Sequence, residues 1–484
     1  MFVKCFERGS GAAQFMRHLN AAQAVVLTCK DLKPHPSLAP ICLFFFFFSF
    51  SEMPCFHFEA IISSVCVSVT CLISLCLSLT HTHTHTHTLS IPVLTKSFLP
   101  VLSLGMADLL RLLLQVAEKA ANVARVCRQE APLFQLLVQE KTGDDKNKKF
   151  VQDFKTLADV VIQEMIQNDI GAQFPEMVGF IHGEESNKFE NGLGESVTVT
   201  VCSTEEETAA LLATVLDSNH TAATLLARAI HQNPATIDAS TDSLTVSLSP
   251  SDLGIWIDPI DATSQYIEGR EEVLEEGTLC PSGLHCALVL IGVYLRSTGE
   301  PVMGVINQPF NYKDPASGGW KGKHFWGVSY GDVNICSLSR PKDASDRGQS
   351  LSVVLSSSEK QVVKDTLISL CSPNKVIYAS GAGYKILCVI QGLADVYVVS
   401  EGSTFKWDSC APHVLLKALG GGLVDLNKSL QSNSDAQDHK TELTYHQAIA
   451  GCKGANCWAN DGGLVAYRDH SQLSRIIRAL KGKL

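Results

Sequence analysis

Residues 256–263 read Trp-Ile-Asp-Pro-Ile-Asp-Ala-Thr, and no other stretch restricts the possible folds as tightly. An apolar strand runs into two aspartates separated by Pro-Ile. Pro259 fixes the backbone and removes an N–H donor. Asp258 and Asp261 can then turn toward one site, with the Ile260 carbonyl as a third oxygen. Hard oxygen ligands suit magnesium, which keeps several waters and also takes substrate phosphate oxygens. Thr263 follows at a helix start, where backbone N–H groups would face a bound phosphate. Taken alone, the segment also fits a plain strand-end turn with Asp or Thr capping a helix.

Two further segments carry acidic groups. After the apolar run 178–181 comes His182-Gly183-Glu184-Glu185. Two glutamates at a strand end are costly unless they are solvated or bound to cations. In a strand they would point to opposite faces, so Glu184 is expected to be the ligand and Glu185 the more peripheral group; an exposed acidic turn is the competing reading. The second segment is Phe405-Lys406-Trp407-Asp408. Asp408 is expected just before a helix with its apolar face at 411, 414, 415, 418 and 419, closed by Gly420–Gly422. A plain N-cap would look the same.

Composition splits the chain near residue 106. Residues 1–105 hold six of the 39 Lys/Arg and four of the 49 Asp/Glu, which leaves 33 basic and 45 acidic residues and a net of −12 in 106–484. That charge disfavours nucleic acid and anionic membranes as partners. It does not exclude a phosphorylated substrate, because bound divalent cations reverse the local sign. Seven of the 17 cysteines precede residue 106, and the others are scattered without a C-x-x-C pair. This gives zinc little support and fits a reducing, cytoplasmic setting. Residues 44–48 are all Phe, and 80–88 alternate Thr and His. These features read as translated non-coding sequence or a disordered extension, with Met106 as the true start. The apolar run 60–79 is long enough for a membrane anchor if the extension is real.

Beyond 106 the periodicities predict a helix over 109–126, a charged linker over 141–149, and a helical stripe of Phe154, Leu157, Ala158, Val161, Ile162, Met165 and Ile166 with Asp159 at its polar edge. Helices are expected at 205–217 and 220–230. Strands are expected at 244–248, 254–257, 286–295, 302–306 and 320–327. A polar connection over 341–349 marks a domain boundary. Strands and helices then alternate (strands 351–355, 376–378 and 396–399; helices 359–370, 384–391 and 411–419), which argues for an α/β layered domain.

In this order the motifs resemble the lithium-sensitive, magnesium-dependent phosphatase superfamily that contains inositol monophosphatase and fructose-1,6-bisphosphatase. Its pattern is an Asp on an early helix, a Glu-Glu pair, D-P-[IL]-D-[GSA]-T and a late W-D. This chain supplies Asp159, Glu184-Glu185, residues 258–263 and Trp407-Asp408. Three features resemble the branch that removes the 1-phosphate from inositol polyphosphates. Ala262 stands where monophosphatases usually have Gly, the stretch from Glu185 to Asp258 is long, and segments 380–392 and 405–425 match that branch. The resemblance spans 106–484 and excludes 1–105.

The resemblance implies a layered α-β-α-β-α fold, with an α+β domain (106–345) carrying the metal site and an α/β domain (346–484) carrying substrate loops. Two or three Mg2+ would be held by Glu184, Asp258, the Ile260 carbonyl, Asp261 and Asp408, with Glu185 nearby, and Li+ would inhibit. Asp159 paired with Thr263, together with Glu184, would position and activate the attacking water. Asp261, Ala262 and Thr263 would bind the departing phosphate. Ser358, Lys360, Gly381, Ala382, Lys385 and Ser403 would hold the inositol ring and its other phosphates. Substrates would be inositol 1,4-bisphosphate and inositol 1,3,4-trisphosphate, handled by a monomer. The rival readings are a 3′(2′),5′-bisphosphate nucleotidase, an inositol monophosphatase, or a silent membrane-anchored inositol phosphate binder.

Overall fold

The computed structural model describes residues 105–484 apart from 130–133, 150–151, 235–247, 273–276, 340–350, 372 and 433–438. The features expected in the first hundred residues, all but the last residue of the strand expected over 244–248 and the boundary at 341–349 therefore lie outside the described residues.

Helix α1 (Met106–Gln129) comes first, then strands β1 (Val138–Glu140) and β2 (Phe154–Thr156) as an antiparallel pair, and α2 (Leu157–Gln173). Phe154 thus belongs to a strand, and the helix starts at Leu157. It starts there because the Thr156 hydroxyl accepts from the Asp159 N–H while the Asp159 carboxylate accepts from the Thr156 N–H, a reciprocal capping box. Strands β3 (Ile181–Gly183), β4 (Lys188–Glu190) and β5 (Ser196–Thr198) and helices α3 (Glu205–Ala213) and α4 (His220–His231) precede β6 (Leu253–Asp261) and the short α5 (Thr263–Glu268). Then come β7 (Leu288–Leu295), β8 (Pro301–Lys313), β9 (Trp320–Tyr330) and β10 (Val333–Cys336). They form a six-stranded sheet, order β10-β9-β8-β7-β6-β3, antiparallel except for the parallel β3–β6 pair.

After residue 350 the expected alternation is present. β11 (Val353–Leu355), α6 (Gln361–Cys371), β12 (Val376–Tyr378), α7 (Ala382–Gln391), β13 (Val396–Val399), α8 (Lys406–Ala418), β14 (Gly422–Asp425), α9 (Leu426–Gln431), β15 (Leu464–Tyr467) and α10 (His470–Leu480) follow in turn. Their sheet runs β12-β11-β13-β15-β14, with β11 parallel to both neighbours.

The two-residue side-chain period of each strand divides its residues between two cores. On β6, Ile255 and Ile257 join the core under α1 and α2, while Trp256 joins the core around α7 and α8. On β13, Tyr397 and Val399 face that same central core, and Val396 and Val398 face the core under α6 and α10. The layers are therefore α-β-α-β-α. Helix α8 lies in the middle layer. It reaches the large sheet through a row of glycines in register, Gly292, Gly304 and Gly327 on β7, β8 and β9. A Cβ on Gly304 would stand 2.4 Å from the Ala411 carbonyl oxygen, and one on Gly292 2.5 Å from the Ala411 nitrogen. The helix backbone rests on strand backbone there, and no side chain fits between.

Candidate active site

The first aspartate pair is brought together by a fault in its strand. Asp258 pairs with Leu290 of β7 and Asp261 with Leu288, so β6 carries an extra residue at Pro259–Ile260. In a regular strand, positions three apart face opposite sides; a bulge resets the alternation and turns both carboxylates to one site. Ala262 follows with φ of 63°, a left-handed conformation rare for a residue with a Cβ. That geometry explains why glycine suits this position.

Asp408 arrives from α8. The helix begins at Lys406, so Asp408 lies inside its first turn and not before it, and its carboxylate accepts from the Phe405 N–H at 2.5 Å. Asp258, Asp261 and Asp408 each offer an oxygen within 4.8 Å of the others, and all three are buried. Burial first, and then the neighbouring carboxylates, push Asp258 and Asp408 well above the ordinary carboxylate range. Burial also raises Asp261, to about 6, against the lowering effect of Lys385 and two backbone N–H groups. Asp258 Oδ1 is buried with no hydrogen-bond partner. Three crowded carboxylates and an unpartnered oxygen suit a hard divalent cation, which would supply the missing positive charge.

Lys141 meets the glutamates. The 141–149 segment is not simply a solvated linker: Lys141 is buried, and its ammonium lies 2.5 Å from both Glu184 Oε1 and Glu185 Oε1. Strand β3 ends at Gly183, so no strand alternation applies to the pair. Glu185 has the more enclosed side chain, 2% exposed against 21% for Glu184. Burial raises Glu185 to about 8, opposed by Lys141. Glu184 falls outside the tight aspartate trio, although its charge lifts all three members.

Asp159 is not at a polar edge. It is 1% exposed, and its Oδ2 accepts from the Thr156 N–H and hydroxyl, both at 2.6 Å. Burial raises it to about 7. Thr263, expected to act with Asp159 on the attacking water, donates its hydroxyl to the Ile260 carbonyl at 3.0 Å. That bond takes one lone pair of the oxygen expected to be a ligand and leaves the other.

The substrate-loop residues divide. Gly381 and Ala382 open α7 directly over Asp261, whose two oxygens accept from the Ala382 and Tyr384 N–H groups at 3.2 and 3.1 Å. Asp261 thereby supplies the cap that Gly381 lacks. A Cβ on Gly381 would come 2.9 Å from Asp261 Oδ2. Lys385 does not reach outward. It is buried, and its ammonium donates to the carbonyls of Ala379 (3.2 Å) and Gly381 (2.6 Å), so it orders this loop from behind. Ser358 and Lys360 are exposed, the latter 3.7 Å from Glu401. Ser403 is half-buried on the loop leading to Asp408.

Residues 109–473 match the model of the inositol monophosphatase family. The chain is 47% identical over 389 residues to inositol polyphosphate 1-phosphatase of Homo sapiens, an overlap covering 78% of this chain and 97% of the human protein. It is 32% identical over 192 residues to 3′(2′),5′-bisphosphate nucleotidase 1 of Mus musculus, covering 40% of this chain and 56% of the nucleotidase. Among solved structures, the extragenic suppressor protein suhB from Bartonella henselae overlaps at 14% identity with a TM-score of 0.43, covering 78% of this chain and 99% of suhB.

Proposed function

Because the chain belongs to the inositol monophosphatase family, we propose that it is a magnesium-dependent phosphatase that removes the 1-phosphate of inositol polyphosphates. The chemistry rests on one observation: Asp258, Asp261 and Asp408, from two distant parts of the chain, converge within 4.8 Å in a buried site. Substrate class is supported by the 47% identity over nearly the whole length of inositol polyphosphate 1-phosphatase; the nucleotidase match covers only 40% of this chain.

Asp258, Asp261 and Asp408, with Glu184 and the Ile260 carbonyl beside them, would hold the cations, two or three in number. Bound there, Mg2+ would offset phosphate charge and make water a competent nucleophile near neutral pH. The chain's own residues position the reactants. The Ala262 turn and the N-terminus of α5 would receive the phosphate being removed, and Thr263 holds the Ile260 carbonyl in place. Asp159, raised to about 7, is suited to take or hold a proton near the site. Gly381 and Ala382, ordered by Lys385, would face the ring, with Ser358, Lys360 and Ser403 on the outer edge. Residues 106–345 would then supply most of the metal site, and 346–484 the ring-binding loops. Lithium would inhibit by entering a weakly held cation position. No disulfide joins the cysteines of the described residues, as a reducing, cytoplasmic setting would leave them. Among the described residues no helix is long and apolar enough to cross a membrane.

The test is phosphate release from inositol 1,4-bisphosphate and from adenosine 3′,5′-bisphosphate, side by side, in magnesium and in EDTA. Release from the inositol substrate that needs magnesium, and falls with lithium at saturating substrate, is the expected result. Turnover that persists in EDTA, or that favours the nucleotide, overturns the reading.

A further inference from the structure

Glu359 sits between two exposed residues, Ser358 and Lys360, yet is itself only 6% exposed. Its carboxylate turns inward. Oε2 accepts from the Ser400 N–H at 3.0 Å, and Oε1 accepts from the Ser400 hydroxyl at 2.5 Å and from the Lys360 N–H at 2.8 Å. Ser400 follows β13, and Glu359 lies on the loop that follows β11. These strands are adjacent and parallel, in register at Val353–Val396 and Val354–Tyr397, so both loops leave the same end of the sheet. The carboxyl ends of parallel strands are where such sheets hold ligands. The second loop also leads from Ser400 into α8, whose first turn carries Asp408, a member of the carboxylate trio. A buried anion fixed by three donors is a rigid tie, since charge-assisted hydrogen bonds are the strong ones.

We propose that Glu359 is a positioning residue for substrate recognition: it clamps the 356–360 loop to the 400–404 loop, so that Ser358, Lys360 and Ser403 form one preorganised edge for the phosphate that is not cleaved. The proposal rests on the inositol polyphosphate reading above. It makes a prediction of unusual sign. Glu359 is an anion near an anionic substrate, so if it acted only through its charge, neutralising it would tighten binding. If it acts as a clamp, neutralising it loosens the edge and weakens binding.

The experiment uses the full chain with Glu359→Gln, and Ser400→Ala as a milder second variant that removes only the hydroxyl donor. Kinetics are measured on inositol 1,4-bisphosphate, with inorganic phosphate as a competing probe of the reaction centre alone. The expected result is a KM raised on the order of tenfold in Glu359→Gln and less in Ser400→Ala. Values of kcat and of the phosphate inhibition constant should stay close to wild type. A KM that falls or does not move overturns the clamp. So does a KM that rises together with the phosphate inhibition constant and a lowered Tm, the mark of a merely structural role. A wild-type chain inactive on the bisphosphate would instead overturn the underlying functional reading.

Discussion

Replacing Gly304 with Ala should damage the metal site without touching a single acidic side chain. A Cβ there would lie 2.4 Å from the Ala411 carbonyl oxygen, 3.0 Å from its Cα and 3.1 Å from its carbonyl carbon. Carbon–oxygen contacts normally settle at about 3.3 Å or more, so a displacement of roughly 0.9 Å is needed. All three atoms are backbone, and no rotamer change can supply that displacement. Either β8 or α8 must move. Overpacking of this kind costs about 1–3 kcal/mol, and the absence of a side-chain escape puts it at the upper end. Typical domain stabilities of about 5–15 kcal/mol leave the protein folded.

Asp408 lies three residues before Ala411 on the same helix, about 4.5 Å along its axis, so a rigid shift of α8 carries it. Magnesium accepts ligands only near 2.0–2.1 Å, and a carboxylate displaced by even half of that shift leaves the shell. Magnesium affinity should fall on the order of tenfold or more, the scale seen when supporting groups of metal sites are disturbed. Thermal unfolding in EDTA reads the packing cost, and calorimetric titration with Mg2+ reads the site. Gly327→Ala, whose Cβ would meet Leu415 Cα at 3.2 Å, should show a smaller version of both effects. Gly179→Ala, with nothing within 4 Å, should show neither. A Gly304→Ala protein that melts and binds magnesium like Gly179→Ala would refute the claim that backbone contact with the sheet sets the position of Asp408.

Three other outcomes are expected. Asp261→Asn should lower turnover by at least about two orders of magnitude while the protein still folds, since an amide oxygen can accept one of the two α7 N–H bonds; near wild-type activity in the folded variant would refute the ligand assignment. In EDTA the stability should fall as pH rises from 5 to 8. Asp261, Asp159 and Glu185 are raised to about 6, 7 and 8, so the folded chain keeps protons that the unfolded chain has released; that stabilisation is complete at low pH and is lost through these values. Saturating magnesium should flatten the slope, and denaturant midpoints that do not depend on pH in EDTA would count against the crowding of these groups. Ala262→Gly should leave stability unchanged or raise it by up to about 1 kcal/mol, relieving a left-handed Ala at the cost of a more flexible unfolded chain; Ala262→Val should destabilise, and a reversed order in chemical denaturation would exclude strain at φ 63°.

Much of the fold was legible because the central strands of both sheets carry apolar residues on both faces and helices such as α1 and α4 carry one apolar stripe. The D-P-I-D segment was legible as a site because proline inside an apolar strand announces a break. Other features left a faint trace or none. Lys141 sits among other charged residues, and nothing local indicates that the β1–β2 hairpin buries it against two glutamates. Helical periodicity puts Asp159 at a polar edge because it counts a carboxylate as polar; the Thr-x-x-Asp pattern of residues 156–159 is the signal of a cap, and Thr156 is fully buried. Helix α8 begins earlier than its apolar stripe indicates, and its N-cap, Phe405, has no side-chain oxygen to announce that start. Lys385 looks like a phosphate ligand in sequence, and only the fold shows its ammonium occupied by two carbonyls. Glycines 292, 304 and 327 stand in strands where glycine is unfavourable, which signals close approach of another backbone, but only strand register shows that they form one row.

That row bears on why the site can exist at all. Asp258, Asp261 and Asp408 repel one another without a cation, and burial raises the energy of each further. A flexible assembly would relieve this by letting α8 drift away. The close seating of α8 on the large sheet, and the capping of α7 by Asp261 itself, deny the chain that escape. The repulsion is then relieved only by protons, which these raised carboxylates give up as pH rises, or by a divalent cation. Cation affinity in such a site comes as much from the rigidity of the apolar packing behind the carboxylates as from the carboxylates. It follows that softening the helix seat and neutralising an aspartate should both weaken magnesium binding yet move metal-free stability in opposite directions, the first lowering it and the second raising it.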